Sequence, residues 1–342
     1  YFIFHEYHPL PQIWKLFIKL CVYYLRKEIL EADVLAFKER TKSMNLRIYE
    51  ILASRMRLDK EDYYYYLNLK KGYEGECRFD GLTEKLGAKC IILNDLQLEI
   101  RRSSLQIDAL LICEGKIVLY EIKNYGGVHH WGPEEFMKQS GTTLENPSLQ
   151  LTKTKVRLRK LLKSLGYSME IEAFIVYVNP EFSIWGAPYE GDSILPGQIS
   201  EHFRELQNMK PVTNPELEKL AQALVECHDP ECPSKLIKYE YEKMNKGINC
   251  PTCGLLVQNF YGRSHMCESC GKKMIIQKAI SNSISDFHTL FPNEKLTTKR
   301  LADWCGTEDT NRVYKVLKRE YQAAGSESCR YYIPVNEQPT PA

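Results

Sequence analysis

The chain has 342 residues, of which 44% are hydrophobic and 26% are charged, and its formal net charge is +2. This length predicts two or three domains, and the hydrophobic content excludes a disordered chain because it can fill buried cores. The nearly neutral charge excludes a global attraction to nucleic acid or to membranes, so any basic surface must be local. The 12 cysteines are too sparse for a disulfide scaffold, and four have metal-ligand spacing, which together favour a reducing cytoplasm.

The segment before Met44 differs in character from the rest of the chain. Residues 13–25 are apolar but include Lys15 and Lys19, and they are too short to cross a bilayer comfortably and lack a small-residue cleavage site. We therefore expect an amphipathic helix, no integral membrane association and no secretion signal. Because Met44 is a natural starting point, residues 1–43 are predicted to be an extension foreign to the fold. A protein that begins at Met44 should then keep its solubility, melting temperature and any activity.

From Met44 onward, the apolar periodicity predicts the alternating helices and strands of an α/β domain. The predicted elements are helices at about 44–56 and 60–85, strands at about 89–93, 106–113 and 116–123, a helix at about 147–165 and a buried strand at 171–178. Residues 214–245 are predicted to form helices and a linker.

Two apolar strands flank Glu114-Gly115, a composition favoured in tight hairpin turns. A two-residue turn pairs Cys113 with Lys116. Continued along the strands, this register places Asp108 directly opposite Glu121. A symmetric four-residue turn gives the same pairing, so the prediction does not depend on the turn type.

Side chains alternate along a strand, so Glu121 and Lys123 are predicted to share one face of this hairpin. Opposed carboxylates such as Asp108 and Glu121 repel each other unless a cation lies between them. The hairpin therefore indicates a site for a hard metal ion with a lysine beside it. The alternative is that these charges at the strand ends are simply solvated, and the hairpin alone favours that interpretation.

Further motifs surround the hairpin in a fixed order. They are Gly72-Tyr-Glu-Gly75-Glu76, Ile107-Asp-Ala-Leu-Leu111, Glu121-Ile-Lys-Asn-Tyr-Gly-Gly127, Trp131 and Asn146-Pro-Ser-Leu-Gln150. Together they resemble the nuclease-related domain called NERD, which is regarded as a branch of the PD-(D/E)XK restriction-endonuclease-like fold. The resemblance covers about residues 70–205. One departure from the generic motif is that Gln-Ile, and not a proline, precedes Asp108.

The resemblance implies a restriction-endonuclease-like α/β core, a mixed central sheet flanked by helices. It also implies a metal-dependent endonuclease that hydrolyses phosphodiester bonds, most readily in DNA, with Mg²⁺ or Mn²⁺. By resemblance, Asp108, Glu121 and Glu76 would hold the metal, Lys123 would act on the attacking water, and Gln150 would be a positioning residue. Two alternatives stay open: a non-catalytic nucleic-acid-binding or regulatory protein built on this core, and an RNA-processing nuclease.

The predicted helix after Asn146-Pro147 has one strongly basic side. Six of its residues are basic and no acid occurs between positions 146 and 163. A helix face of one sign repels itself unless a polyanion lies nearby, so Lys153, Arg157 and Lys160 are predicted to contact nucleic acid. A solvated face is an equally good interpretation.

Four cysteines follow the spacing Cys250-x-x-Cys253 and Cys267-x-x-Cys270, and a glycine follows each pair. This pattern is typical of a zinc ribbon, in which four thiolates close a tetrahedral shell around one structural Zn²⁺. A segment this short has little core of its own, so metal binding and folding should be one event. The alternative, a pair of redox motifs, fits the glycines and the spacing less well.

The last segment resembles a winged helix. A short helix is predicted at 296–306, a second helix at 309–321 and an extended strand at 330–334. Three cations on the second helix are candidates for nucleic-acid contacts: Arg312, Lys315 and Arg319. A winged helix that binds a protein partner is an equally good alternative.

These predictions divide the chain into six segments. They are an N-terminal extension (1–43), a NERD nuclease-like domain (44–210), a helical linker (211–245), a zinc ribbon (246–278), a winged-helix-like domain (286–336) and a tail (337–342).

Overall fold

The computed structural model describes residues 36–100, 103–132, 135–188, 191–229, 237–326 and 329–335. The helix expected within 13–25 and the tail at 337–342 lie outside these residues. The described residues fall into two compact units: those within 36–42 and 70–229 form the first, and those within 43–69 and 237–335 form the second. No helix in the described part of the chain is both long and apolar enough to span a membrane.

The helices are α1 (Met44–Arg55), α2 (Lys60–Thr83), α3 (Pro147–Ser164), α4 (Ile199–Gln207), α5 (Pro215–Glu226), α6 (Ile276–Leu290), α7 (Thr298–Trp304) and α8 (Thr310–Glu320). The strands are β1 (Cys90–Ile100), β2 (Ser103–Cys113), β3 (Lys116–Lys123), β4 (Gly127–Trp131), β5 (Phe136–Lys138), β6 (Thr143–Leu144), β7 (Glu170–Tyr177), β8 (Phe182–Trp185), β9 (Ser193–Ile194), β10 (Ile248–Asn249), β11 (Leu256–Val257), β12 (Ser264–Met266), β13 (Lys273–Ile275), β14 (Tyr321–Ala324) and β15 (Tyr331–Pro334).

The first unit is built on a mixed five-stranded sheet in the order β1-β2-β3-β7-β9. Strands β1 to β3 are antiparallel neighbours, whereas β7 pairs with β3 in parallel because α3 carries the chain back across the sheet. Leucines of α3 and α5 pack on one face of the sheet. Phe79 of α2 and Phe203 of α4 pack on the other face. The predicted α/β class, a mixed central sheet flanked by helices, is confirmed.

The β2–β3 hairpin has the predicted register. Cys113 pairs with Lys116, and the ladder continues to Ala109 opposite Tyr120. Gly115 has φ +91°, a left-handed conformation that a tight turn requires and that glycine adopts without strain. The same register brings Asp108 beside the end of β3, but the ladder stops at the pair Ala109–Tyr120 and does not include the predicted pair Asp108–Glu121.

Strand β1 is longer than predicted, since it runs to Ile100 and not to residue 93. Asn94 and Asp95 interrupt its apolar run, which is why the sequence pattern ended the strand before them. Both are nevertheless buried, and β1 continues with Leu96 and Leu98 facing the core.

Residues 43–69 belong to the second unit, whereas the sequence pattern predicted residues 44–69 as part of the domain at 44–210. Ile51 and Leu52 of α1 pack into the core of the second unit. Arg55 is also fully buried there, stacked 3.6 Å above the ring of Trp304. Its guanidinium donates to the carbonyl of Asn245 (3.1 Å), the carbonyl of Gly247 (3.1 Å) and the hydroxyl of Ser283 (2.9 Å).

One hydrophobic core runs through the second unit. It contains Cys250 and Cys267 together with side chains of α6, α7 and α8, among them Trp304 and Val316. Helix α6 begins directly after β13 and was not predicted; it joins two segments that were predicted as separate domains, 246–278 and 286–336.

Candidate active site and zinc centre

The end of β3 carries the centre of the candidate active site. Nζ of Lys123 donates to Oε1 of Glu121 at 2.7 Å and to Oε1 of Gln150 at 3.1 Å. Glu121 and Lys123 thus share one face, as strand alternation requires. Gln150 reaches them from the first turn of α3, which Asn146 caps by accepting from the N–H of Ser148.

Asp108 takes part in the hairpin by its side chain. Beyond the pair Ala109–Tyr120, its Oδ2 accepts the backbone N–H of Ile122 at 2.8 Å. The carboxylate therefore lies beside the backbone of β3 at Ile122, the residue between Glu121 and Lys123. Burial raises the pKa of Asp108, and the hydrogen bond from Ile122 and the charge of Lys123 oppose that rise.

The neighbouring carboxyl groups show the same excess of negative charge. Burial, and then the charge of Asp108, raises the pKa of Glu121 to about 7 and that of Glu76 to about 7. Burial lowers the pKa of Lys123, but the charge of Glu121, the hydrogen bond to Glu121 and the charges of Tyr125 and Asp108 together outweigh burial, so the pKa lies above its usual value. A divalent cation is the kind of ligand that stabilises buried, ionised carboxylates, and Mg²⁺ or Mn²⁺ prefers such oxygen donors. The chemistry of these donors therefore suits a hard metal ion, although in the described part of the chain only the four cysteines treated below lie grouped as closely as the ligands of one ion.

Gly75 allows α2 to approach this site closely. A Cβ atom at position 75 would lie 2.4 Å from Cβ of Asn124, which is far inside van der Waals contact. Asn124 follows Lys123 directly, and its Nδ2 donates to the carbonyl of Lys71 on α2 at 2.7 Å. The glycine therefore explains how Glu76, one residue farther along α2, comes close to the end of β3.

Residues 71–178 match the family model described as nuclease-related domain, NERD. This chain carries a NERD domain. Among solved structures, the small subunit of the heterodimeric restriction endonuclease R.BspD6I is similar at 15% identity, with 45% of this chain and 78% of that subunit covered and a TM-score of 0.22. A TM-score this low does not support any argument from that enzyme about this chain. The search of curated proteins gave no match.

Sequence reasoning missed two charged groups next to the site of the NERD domain. Asp95 is one of them: the pairs Asn94–Ala109 and Leu96–Ile107 leave it opposite Asp108. Its charge contributes to the raised pKa of both Asp108 and Glu76. The sequence would have indicated Asp95 only if β1 had been predicted at its full length. The backbone φ of Asp95 is +50°, which marks a break in the regular strand.

Arg40 is the second missed group. Its guanidinium donates to Glu76 at 2.8 Å, to Asp80 at 2.8 and 3.0 Å, and to the backbone carbonyl of Asp108 at 2.9 Å. Nothing in the sequence pattern indicated it, because it lies in the segment that we expected to be foreign to the fold.

The basic face of α3 is exposed in the NERD domain. Leu151, Leu158 and Leu162 are buried against the sheet. The exposed cations on the other faces are Lys153, Arg157, Arg159, Lys160 and Lys163. Exposure is compatible both with phosphate contacts and with a solvated face, so the predicted nucleic-acid contact stays a prediction.

The four cysteines of the second unit lie together on two small hairpins, β10–β11 and β12–β13. The Sγ atoms of Cys250 and Cys270 are 3.8 Å apart, and those of Cys253 and Cys267 are 3.5 Å apart. Four thiolates about 2.3 Å from one Zn²⁺ in tetrahedral geometry would be separated by about 3.8 Å. Among the described residues, this group alone brings three or more metal-ligating side chains within 4.8 Å of one another. The geometry fits the predicted zinc site.

The C-terminal cations differ in their surroundings. Arg312 donates to the carbonyl of Gly262 at 2.6 Å and to Asp309 at 3.0 Å, and Arg319 is paired with Glu320. Lys315 is exposed on α8. Helices α7 and α8 are followed by the β14–β15 ribbon, which is the order predicted for a winged helix; its role in binding stays a prediction.

Proposed function

We propose that the NERD domain is a nuclease that hydrolyses phosphodiester bonds, with DNA as the favoured substrate and Mg²⁺ or Mn²⁺ as the metal. The observation that carries this proposal is the partly buried contact of Lys123 with Glu121 and Gln150, beside Asp108. Folding alone does not require this arrangement, because removing charged groups from water costs free energy. Charges gathered in this way are therefore candidates for a functional site.

Asp108, Glu121 and Glu76 would hold the metal, which would lower the pKa of a bound water and offset charge on the phosphate. Glu121 and Gln150 fix the ammonium group of Lys123 from two sides. Lys123 then presents a positive charge to the phosphate, where negative charge develops in the transition state. The Ile122 N–H holds the carboxylate of Asp108 in one orientation.

The cations of α3 and α8 suit a role in binding nucleic acid, which supports this proposal. Lys153, Arg157 and Lys160 would contact the backbone of the nucleic acid, and Lys315 with the other cations of α8 would add contacts in the second unit. Zn²⁺ would be structural. A protein partner at the winged helix and a cytoplasmic location stay predictions.

A panel of labelled single- and double-stranded DNA and RNA, incubated with and without Mg²⁺ or Mn²⁺, tests the proposed function. Metal-dependent cleavage of DNA is the expected result. Preferential cleavage of RNA would favour an RNA-processing nuclease, and binding without cleavage would favour the scaffold.

The basic face of α3 gives a separate prediction about binding. Replacing Lys153, Arg157 and Lys160 by alanine should weaken DNA binding and flatten its salt dependence, by a slope of about 0.9 for each phosphate that is no longer neutralised. The measurement is the dissociation constant as a function of salt concentration. Lys210→Ala, which removes an exposed lysine elsewhere in the same unit, is the control. An unchanged salt slope in the triple variant would contradict the predicted binding by this face.

A further inference from the structure

We propose that Arg40 is a positioning residue of the candidate active site, and that residues 36–42 are therefore part of the catalytic unit. This inference rests on the proposed function, and it names a residue whose role is to hold Glu76 and the backbone of Asp108 in place. It is opposite to the expectation that the segment before Met44 can be removed without effect.

Residues 36–42 are attached to the open edge of the central sheet. The N–H of Lys38 donates to the carbonyl of Ile92 at 3.2 Å, and the N–H of Asn94 donates to the carbonyl of Lys38 at 3.0 Å. These two bonds form a parallel bridge to the edge strand β1. Nζ of Lys38 also donates to the carbonyls of Asn94 and Asp95, at 2.7 Å each. An edge strand that is covered in this way has its backbone groups satisfied, so the segment is integral to the sheet.

This attachment places Arg40 between α2 and β2. Its side chain is only 3% exposed, and its planar group is held from several sides. Two nitrogens bind Asp80 in a bidentate ion pair, at 2.8 and 3.0 Å. Nη1 binds Oε2 of Glu76 at 2.8 Å, and Nη2 also reaches the carbonyl of Asp108 at 2.9 Å.

The contacts of Arg40 are of two kinds, one with a residue outside the proposed site and the other with residues of the proposed site. The contact with Asp80 only joins the segment to α2, since Asp80 is not among the proposed catalytic residues. The contacts with Glu76 and Asp108 instead link two elements that carry proposed metal ligands. Fixing a carboxylate in one orientation matters for catalysis, because a displacement of about 1 Å in a catalytic group can cost about a hundredfold in rate.

The shape of the arginine side chain is essential to this role. A guanidinium can bind Asp80 with two nitrogens while a third nitrogen binds Glu76. A lysine at position 40 would supply the same charge but only one nitrogen, so it cannot hold all of these groups in the same geometry. Arg40→Lys therefore tests positioning separately from charge.

The decisive measurement compares kcat and KM of Arg40→Lys with those of Asp80→Asn. We expect kcat to fall at least about tenfold in Arg40→Lys with KM for DNA nearly unchanged, and to stay within about threefold of wild type in Asp80→Asn. Glu39→Gln, an exposed change in the same segment, is the control for nonspecific effects. Equal losses in Arg40→Lys and Asp80→Asn would show that Arg40 only anchors the segment, and would overturn the proposal.

A double-mutant cycle tests whether Arg40 acts through Glu76. If Arg40 acts partly through Glu76, the fold-loss caused by Arg40→Lys should be smaller in the Glu76→Gln background than in wild type. Independent, multiplying losses would contradict the proposed role. The protein that begins at Met44 lacks the whole segment and should lose cleavage at least as severely as Arg40→Lys.

Direct binding of Mn²⁺, titrated by electron paramagnetic resonance of the free ion, gives a readout that does not require activity. Arg40→Lys should weaken Mn²⁺ binding by at least about threefold, and Glu39→Gln should leave it unchanged. Wild-type affinity in Arg40→Lys would count against the positioning role even if no nucleic acid is cleaved. Conversely, if wild type cuts DNA, Asp108→Asn does not, and Arg40→Lys cuts normally, the proposed function stands and only this inference fails.

Discussion

Asp108→Asn is expected to abolish metal-dependent cleavage while the NERD domain stays folded. The asparagine keeps the size of the side chain and an oxygen that can accept the N–H of Ile122, which now bonds to Oδ2 at 2.8 Å. It removes the charge that a metal ion requires from this position. Cleavage by wild type and by Asp108→Asn should be measured at matched concentration on the same labelled DNA, with the circular dichroism spectrum as the check on folding.

The same substitution should raise the melting temperature in the presence of a chelator. Asp108 is half-buried, and after burial its charge is the next largest cause that raises the pKa of Glu76 and of Glu121 to about 7 each. Replacing a half-buried carboxylate among like charges by a neutral group removes unfavourable free energy from the folded state. Addition of Mn²⁺ should stabilise wild type more than the variant, because only wild type offers the full set of ligands.

Lys123→Ala separates binding from chemistry at the same site. The lysine is proposed to stabilise the transition state and not to hold the metal, so this variant should still bind Mn²⁺ and DNA. Its cleavage rate should fall by about a hundredfold or more, the usual loss when such a charge is removed.

Equal cleavage by wild type and Asp108→Asn would assign the activity to another site or to a contaminant, and the nuclease proposal would fall.

The centre of the site could be predicted from the sequence because it depends on local rules. The turn at Glu114-Gly115 sets the register of the hairpin, and strand alternation then sets the shared face of Glu121 and Lys123. Gln150 followed from its place on the first turn of α3. Each of these inferences uses residues close together in sequence or within one hairpin.

Asp95 and Arg40 escaped prediction because their positions depend on long-range packing. Asp95 interrupts an apolar run, and only the pairing of β1 with β2 shows that the strand continues past it. Arg40 reaches the site because Lys38 pairs with Leu93 at a sheet edge, and no periodic pattern indicates where a single bridge will form. Nothing in the sequence pattern indicated that Arg55, a cation on a short helix, would be buried in the second unit.

Removal of zinc is expected to unfold the second unit as a whole, and not only the ribbon. Cys250 and Cys267 are each 2% exposed and belong to the same hydrophobic core as Trp304 and Val316. Structural Zn²⁺ sites contribute about 10–16 kcal/mol of apparent binding free energy, which is comparable to the entire stability of a typical domain, about 5–15 kcal/mol. The loss of the metal should therefore spread through this core to α6, α7 and α8.

Protein purified without chelator should contain one Zn²⁺ per chain by elemental analysis, and Cys250→Ser should lose it. The near-ultraviolet circular dichroism that arises from the buried Trp304 should disappear in Cys250→Ser, and calorimetry should show the transition of the second unit shifted or absent. Cys329→Ser changes an exposed cysteine of the same unit outside the four-cysteine group, and it should behave as wild type. Absence of zinc in the purified protein, or disulfides among the four thiols, would refute the zinc site. If Cys250→Ser lost zinc but kept the signal of Trp304, the ribbon would fold independently, and the shared core would not couple metal binding to the C-terminal helices.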